Sequence, residues 1–144
     1  MRRDTTAYSA VRPAWDKNDC SVRALACATK VSYIVASMTF SAQGRSVKKG
    51  TPTELSTKLH EEILGMRRIE MAEGMRLEEF VRYARAGSFI IHKARHAFAV
   101  VDGVIHDWEN TTKDSTKIVR AWKVTEKARE KMLAMAKMVE ELGL

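Results

Sequence analysis

The sequence predicts an α+β domain in which a buried helix near the N-terminus and a helix at the C-terminus pack on a small antiparallel sheet. Three observations predict it. The small-residue run CSVRALACAT reads as a central helix, and two apolar runs with a turn dipeptide between Ser88 and Trp108 read as successive strands. The last twenty residues carry a helical stripe rich in methionine.

Residues 1–18 show no apolar periodicity and include Pro13, so they read as an extended basic arm. Asn18 or Asp19 is placed to cap the helix that follows, because a short side-chain oxygen can accept from first-turn N–H groups. Ala24, Ala26, Cys27 and Ala28 then present little bulk, which lets other elements approach this helix closely. The next run, VSYIVASMTF, mixes β-branched and aromatic residues with helical spacing at Tyr33, Ala36 or Ser37, and Phe40, and is read as a helix. Gly44 and Gly50 bracket a basic loop, SVKK, after which Thr53 caps a helix to about Leu64 that Gly65 ends. A short helix from about Leu77 to Arg85 places Leu77, Phe80, Val81 and Ala84 on one face.

The strand signal is clearest in SFII, AFAVV and VIHDW, with Asp102-Gly103 as a two-residue hairpin turn between the last two. A fourth strand, IVRAWKV, is expected at about Lys117–Val124, beyond the polar loop ENTTKDS. Thr125 caps a final helix to about Leu142, whose apolar face is Met132, Met135, Met138, Val139 and Leu142 and whose stop is Gly143.

With 144 residues, 45% hydrophobic and 30% charged, the chain suits one soluble globular domain rather than a disordered or fibrous one. No stretch approaches the ~20 apolar residues that span a bilayer, and the first residues lack the apolar core of a secretory signal, so no membrane partner and a cytoplasmic location are expected. Cys20 and Cys27 are seven apart on one helix, roughly 10 Å at ~1.5 Å per residue, too far for a disulfide. Residues 1–50 carry nine Lys/Arg against three Asp/Glu, so the basic excess is N-terminal. Arg2, Arg3, Arg12 and Lys17 read either as a solvated basic surface or as an arm for nucleic acid or an acidic partner.

The order of elements is chemically suggestive. A thiol, Cys20, opens a helix, where free N–H groups and the helix dipole stabilise a thiolate and can donate to an oxyanion. An imidazole, His96, opens a strand about 75 residues later and can take and return the thiol's proton. Asp107, on the strand after the hairpin, falls close to paired with His96 and is the candidate that orients its ring. Asp19 opposes thiolate formation through like charge, and Arg23 one turn on offsets it. His92 is read as structural or on the cleft rim, and Cys27 as a small buried hydrophobe. His92 and His96 would form a metal pair only on a helix, and the two cysteines lack short-pair spacing, so no metal is expected. The absence of a phosphate-binding glycine loop predicts no nucleotide cofactor.

The strings NDCSVRALACAT and HAFAVVDGVIHDW together resemble the papain-like cysteine peptidase superfamily, whose nucleophile opens the central helix and whose histidine opens a strand of the following sheet. The segment Cys20–Leu25 is similar to the nucleophile helix of ovarian-tumour-domain deubiquitinases, and the run after His96 to that of bacteriocin-processing peptidases. The nearest likeness is to small phage-encoded proteins with an NDC-x-x-RA helix, and it covers roughly residues 16–110. The resemblance implies a papain-like core over 19–124, an arm over 1–18 and a C-terminal helix over 125–144 packed on the core. It also implies a viral thiol hydrolase acting on a protein or peptide substrate through Cys20, His96 and Asp107. A catalytically silent binding module and a Cys-dependent acyltransferase or amidase are the alternatives. Where papain relatives carry a Gln six residues before the nucleophile, this chain has Ala14, which leaves Asn18 or Asp16 for the oxyanion role and Trp108 for a cleft wall.

Overall fold

The computed structural model describes residues 2–6, 8, 18–46, 50–108 and 112–143. Its architecture is mixed α+β: five helices and a six-stranded mixed sheet. The strands are β1 (Arg2–Asp4), β2 (Arg67–Arg68), β3 (Ser88–Lys93), β4 (His96–Val101), β5 (Val104–His106) and β6 (Arg120–Lys123), in spatial order β1-β5-β4-β3-β6-β2. The helices are α1 (Cys20–Thr29), α2 (Tyr33–Ala42), α3 (Thr53–Lys58), α4 (Leu77–Tyr83) and α5 (Glu126–Glu141).

The sheet is larger than the four antiparallel strands expected, and not purely antiparallel. The three strands of the hairpin region and the IVRAWKV strand form its centre, β3 pairing with β4 and β6 and β4 with β5, all antiparallel. The two additional strands lie at the edges. β1 falls inside the expected arm and pairs parallel with β5, Arg3 opposite Ile105, while β2 pairs antiparallel with β6. Both are short, basic and without apolar alternation, which is how a protected edge strand looks.

Both faces of the central strands are covered, which explains their near-continuous apolar runs. Ile90 of β3, Ala97 and Ala99 of β4, and Trp122 of β6 pack toward α1, α2 and α5. Phe89 and Ile91 of β3, Phe98 and Val100 of β4, and Ala121 of β6 form a second core with Leu77, Phe80 and Val81 of α4. At the Asp102-Gly103 turn both residues have positive φ, 48° and 78°, the geometry that a two-residue hairpin requires. The Asp102 carboxylate also accepts from the Gly87 amide at 2.9 Å, which ties the turn to the start of β3.

The expected helix from Thr53 is α-helical only to Lys58. It widens into a π-turn over Leu59–Ile63, where Leu64 N–H donates to Leu59 O at 2.9 Å, and ends at Gly65 with φ 75°. Pro52 rather than Thr53 occupies the cap position. Thr125 does cap α5, accepting from Ala128 N–H at 3.2 Å. The apolar face of α5 is narrower than its methionines suggest: Met132 and Val139 are buried, but Met138 is 56% and Leu142 68% exposed. Among the described residues no single helix is long and apolar enough to cross a membrane.

Trp122 joins these layers. It is fully buried, pairs with Ile90 across the sheet, and donates its indole N–H to Glu61 Oε2 at 2.8 Å on the π-turn. Trp122→Ala removes that bond and leaves a large cavity, so a loss of ~3–5 kcal/mol of unfolding free energy is expected in urea titrations.

Candidate active site

Cys20 is the first residue of α1, and Asp19 holds the cap position. The expected cap bond from Asn18 or Asp19 is not the one formed. The Asp19 side chain makes no cap hydrogen bond and instead accepts from the Tyr33 hydroxyl of α2 at 2.9 Å. The first-turn amides of α1 are therefore not consumed by this carboxylate, and the positive end of the helix dipole stands at the thiol. Asn18 is exposed, and its carbonyl accepts from Arg45 Nη2 at 3.1 Å. Arg45 is itself buried and donates through Nε to Thr51 Oγ1 at 3.2 Å, so it clamps the loop before α3 to the chain entering α1.

His96 opens β4, and Asp107 follows the last residue of β5. The last pair of that ladder is Ala99 with His106, so Asp107 stands diagonally across from His96 on the neighbouring strand. His96 Nε2 and Asp107 Oδ1 are 2.7 Å apart, with both side chains buried. The Asp107 backbone N–H is held at 3.0 Å by the carbonyl of Asp4, so the edge strand β1 anchors the carboxylate's position. Phe98 stacks on the His96 ring at 5.9 Å and Trp108 meets it edge-on at 5.9 Å. Trp108 in turn carries the Arg23 guanidinium 4.2 Å over its face.

With Nε2 engaged by Asp107, the Cys20 thiol lies beside the same ring at the cleft, close enough to influence its charge. Burial by itself pushes His96 toward neutrality. The hydrogen bond to Asp107 and the neighbouring Cys20 thiol, and then the charges of both groups, override it and hold the imidazole pKa up at about 9. The structure thus brings Cys20 beside a hydrogen-bonded His96–Asp107 pair, with the imidazole charged at neutral pH.

A cleft of about 150 Å³ opens beside Cys20 and His96. Ser21, Gly50, Thr51 and Thr53 line one part of it, and His92, Lys93, Arg95 and Ala97 the other. Asn18 and Trp108 are not among its lining residues, and Asp16 lies outside the described residues, as does Ala14. A second histidine set sits at this cleft. His92 packs on Trp122 at 4.6 Å and on His60 at 5.8 Å, and His60 also meets Trp122 at 4.6 Å. Neither ring nitrogen of His60 has a hydrogen-bond partner, nor does His92 Nε2. Burial, then the mutual influence of the two rings, holds His60 well below its ordinary value; burial and the charges of Arg120 and His96 push His92 down to about 4. His60, Arg45 and the β1 contact to Asp107 carried no local sequence signal, since each acts through a distant segment.

A larger cavity, about 570 Å³, lies near the other end of α1 against Cys27, Lys30 and His106. Burial, then the charge of Asp4, pushes the Cys27 thiol up to about 12, so it stays protonated. Among the described residues no group of three or more His, Cys, Asp or Glu could hold a metal ion. No protein-family model, curated protein or solved structure matches the chain.

The histidines oppose one another in their linkage to stability. His96, raised in the fold, contributes stability that is complete below its unfolded value of ~6.5 and is lost as pH rises through about 9. His60 and His92, lowered in the fold, contribute stability above ~6.5 that is lost as pH falls toward about 4. Thermal melts across pH should therefore peak near ~6.5. His92→Phe should flatten the acid side, and Asp107→Asn the alkaline side.

Proposed function

We propose that this chain is a papain-like cysteine hydrolase that cleaves amide bonds of a peptide or isopeptide substrate. The observation that carries the reading is the line of Cys20, His96 and Asp107, in which the thiol at a helix start stands beside a buried, hydrogen-bonded imidazole–carboxylate pair at the ends of two adjacent strands. Each part of that line matches a chemical need. The thiol at a helix N-terminus is placed to react as thiolate, and a neighbouring imidazolium stabilises that thiolate and carries the proton that the leaving group will need. Asp107 fixes the ring tautomer and offsets the charge on His96 in a buried setting.

The thiolate of Cys20 attacks the carbonyl carbon, forming a C–S bond while the carbonyl electron pair moves to oxygen. First-turn amides of α1 receive that oxyanion. The tetrahedral adduct collapses, the C–N bond breaks, and His96 gives its proton to the departing amine. Water then attacks the thioester as neutral His96 accepts its proton. Collapse of this second adduct breaks the C–S bond, frees the carboxylic acid and restores the thiolate–imidazolium pair.

The experiment is alkylation of Cys20 by iodoacetamide, followed site by site by mass spectrometry, together with hydrolysis of a fluorogenic peptide library. At pH 7, His96→Ala should slow alkylation of Cys20 by ~100-fold, and Cys20→Ala should abolish hydrolysis. Hydrolysis by the wild type should fall as pH rises through about 9, where His96 loses the proton that the leaving amine requires. Asp107→Asn removes the largest influence raising His96 and should move that alkaline limb to lower pH. An alkylation rate unchanged in His96→Ala would sink the reading.

A further inference from the structure

Among the described residues, the cleft beside Cys20 is lined by two cationic side chains, Lys93 and Arg95, and by no carboxylate. Arg95 is the more informative of the two. It is the second residue of the two-residue turn that joins β3 to β4, where Lys93 pairs with His96. Its φ is 64°, in the left-handed region where glycine is at ease and a residue with a Cβ is strained. Arg95 is exposed and, among the described residues, has neither an ion pair nor a hydrogen-bond partner. A turn that would be relaxed with glycine thus carries an unpartnered guanidinium at the mouth of the cleft, one residue before His96. The wall beside it holds His92, 9% exposed, with Nε2 buried and lacking a partner. The hydroxyls of Thr51, Thr53 and Ser21 complete the polar lining.

We propose that the cleft binds a carboxylate of the substrate through the Arg95 guanidinium, with Lys93 adding positive charge, so that the amide cleaved lies next to an acidic group. A guanidinium offers a planar donor fork that a carboxylate fills with two hydrogen bonds, and a cleft of about 150 Å³ admits one such group. The carboxylate comes from an Asp or Glu side chain or from a chain end, and both present the same two oxygens. Calling the bound molecule a substrate rests on the hydrolase reading; the carboxylate site itself does not.

The test compares Cys20 alkylation by iodoacetate, which carries a carboxylate, with that by neutral iodoacetamide, both read at the Cys20 peptide so that Cys27 is not counted. The imidazolium of His96 attracts iodoacetate in every variant, so the measure is the change in the iodoacetate-to-iodoacetamide ratio on removing Arg95. Arg95→Gly relieves the left-handed strain and so keeps the fold. It should lower the ratio about tenfold, the worth of a charge-assisted pair, and Arg95→Gln should do the same without changing the turn's side-chain bulk. Arg82→Gln, on α4, should leave it unchanged. N-acetylglycine, a chain-end carboxylate, and N-acetylaspartic acid α-amide, a side-chain carboxylate, should protect Cys20 from iodoacetamide, and the stronger protector identifies the source. A ratio that stays the same in both Arg95 variants overturns the proposal, as does inorganic phosphate protecting better than either carboxylate. Slow alkylation by iodoacetamide with an Arg95-dependent ratio overturns the hydrolase reading and retains the carboxylate site.

Discussion

The close seating of α1 on β4 is the constraint on which the site depends. Ala24 and Ala28 of the helix and Ala97 and Ala99 of the strand are all buried, and they share one core. Alanine at these four positions adds little bulk to the shared core, which lets the helix approach the sheet more closely than larger residues there would permit. Cys20 opens α1 and His96 opens β4, and their side chains meet at the cleft end of that contact. A bulkier residue anywhere along it would lift the helix and move the thiol away from the imidazole. The spacing of thiol and imidazole is thereby set by residues that have no chemistry of their own.

The same region sorts its charges sharply. Three imidazoles lie on or beside one wall, and only His96 has a carboxylate to support its proton. His60 and His92 rest against Trp122 without hydrogen-bond acceptors at the nitrogens named above, and so remain neutral where His96 is charged. A positive charge on His92 would stand beside that on His96 and weaken the pairing with the thiol; its low pKa prevents this at neutral pH. Asp19, the residue most opposed to a thiolate by its position in the chain, has its carboxylate drawn to the Tyr33 hydroxyl of α2. Burial near the site is thus selective: the charges that would stand against the His96 imidazolium or beside the thiol are neutralised or directed elsewhere.

Much of this was legible in the sequence where the signal is local. The small-residue run gives α1 its bounds, and the apolar runs with Asp102-Gly103 give β3 to β5, because twice-buried strands and a two-residue hairpin each leave a short-range pattern. Cys20, His96 and Asp107 are legible as candidates because they sit at the ends of those elements. What was illegible depends on distant partners. Arg2–Asp4 and Arg67–Arg68 become strands only because β5 and β6 offer free edges, and nothing in RRD or RR encodes that. The α3 pattern predicts an ordinary helix, whereas the π-turn that carries His60 and Glu61 to Trp122 arises from packing. Met138 and Leu142 satisfy helical periodicity but extend past the surface that α5 covers, so they end exposed.

β1 gives the N-terminal segment a role that its basic composition hides. It pairs with β5, and its last carbonyl, that of Asp4, holds the backbone N–H of Asp107. Arg3 adds an ion pair to Asp114 at 2.8 Å, and His106 stands 3.3 Å from the Asp4 carboxylate. The residue that orients His96 is therefore fixed by a segment more than a hundred positions earlier in the chain, and α1 must pack between the two in sequence before the line can close. Such a site cannot form piecemeal. Loop closure over that separation is entropically unfavourable until the sheet and α1 are both in place, so docking of the first strand and assembly of the thiol–imidazole–carboxylate line belong to one cooperative event. On that argument Arg2 and Arg3 belong to the scaffold of the site before they belong to any surface for an acidic partner, because their backbone completes the sheet edge that holds Asp107.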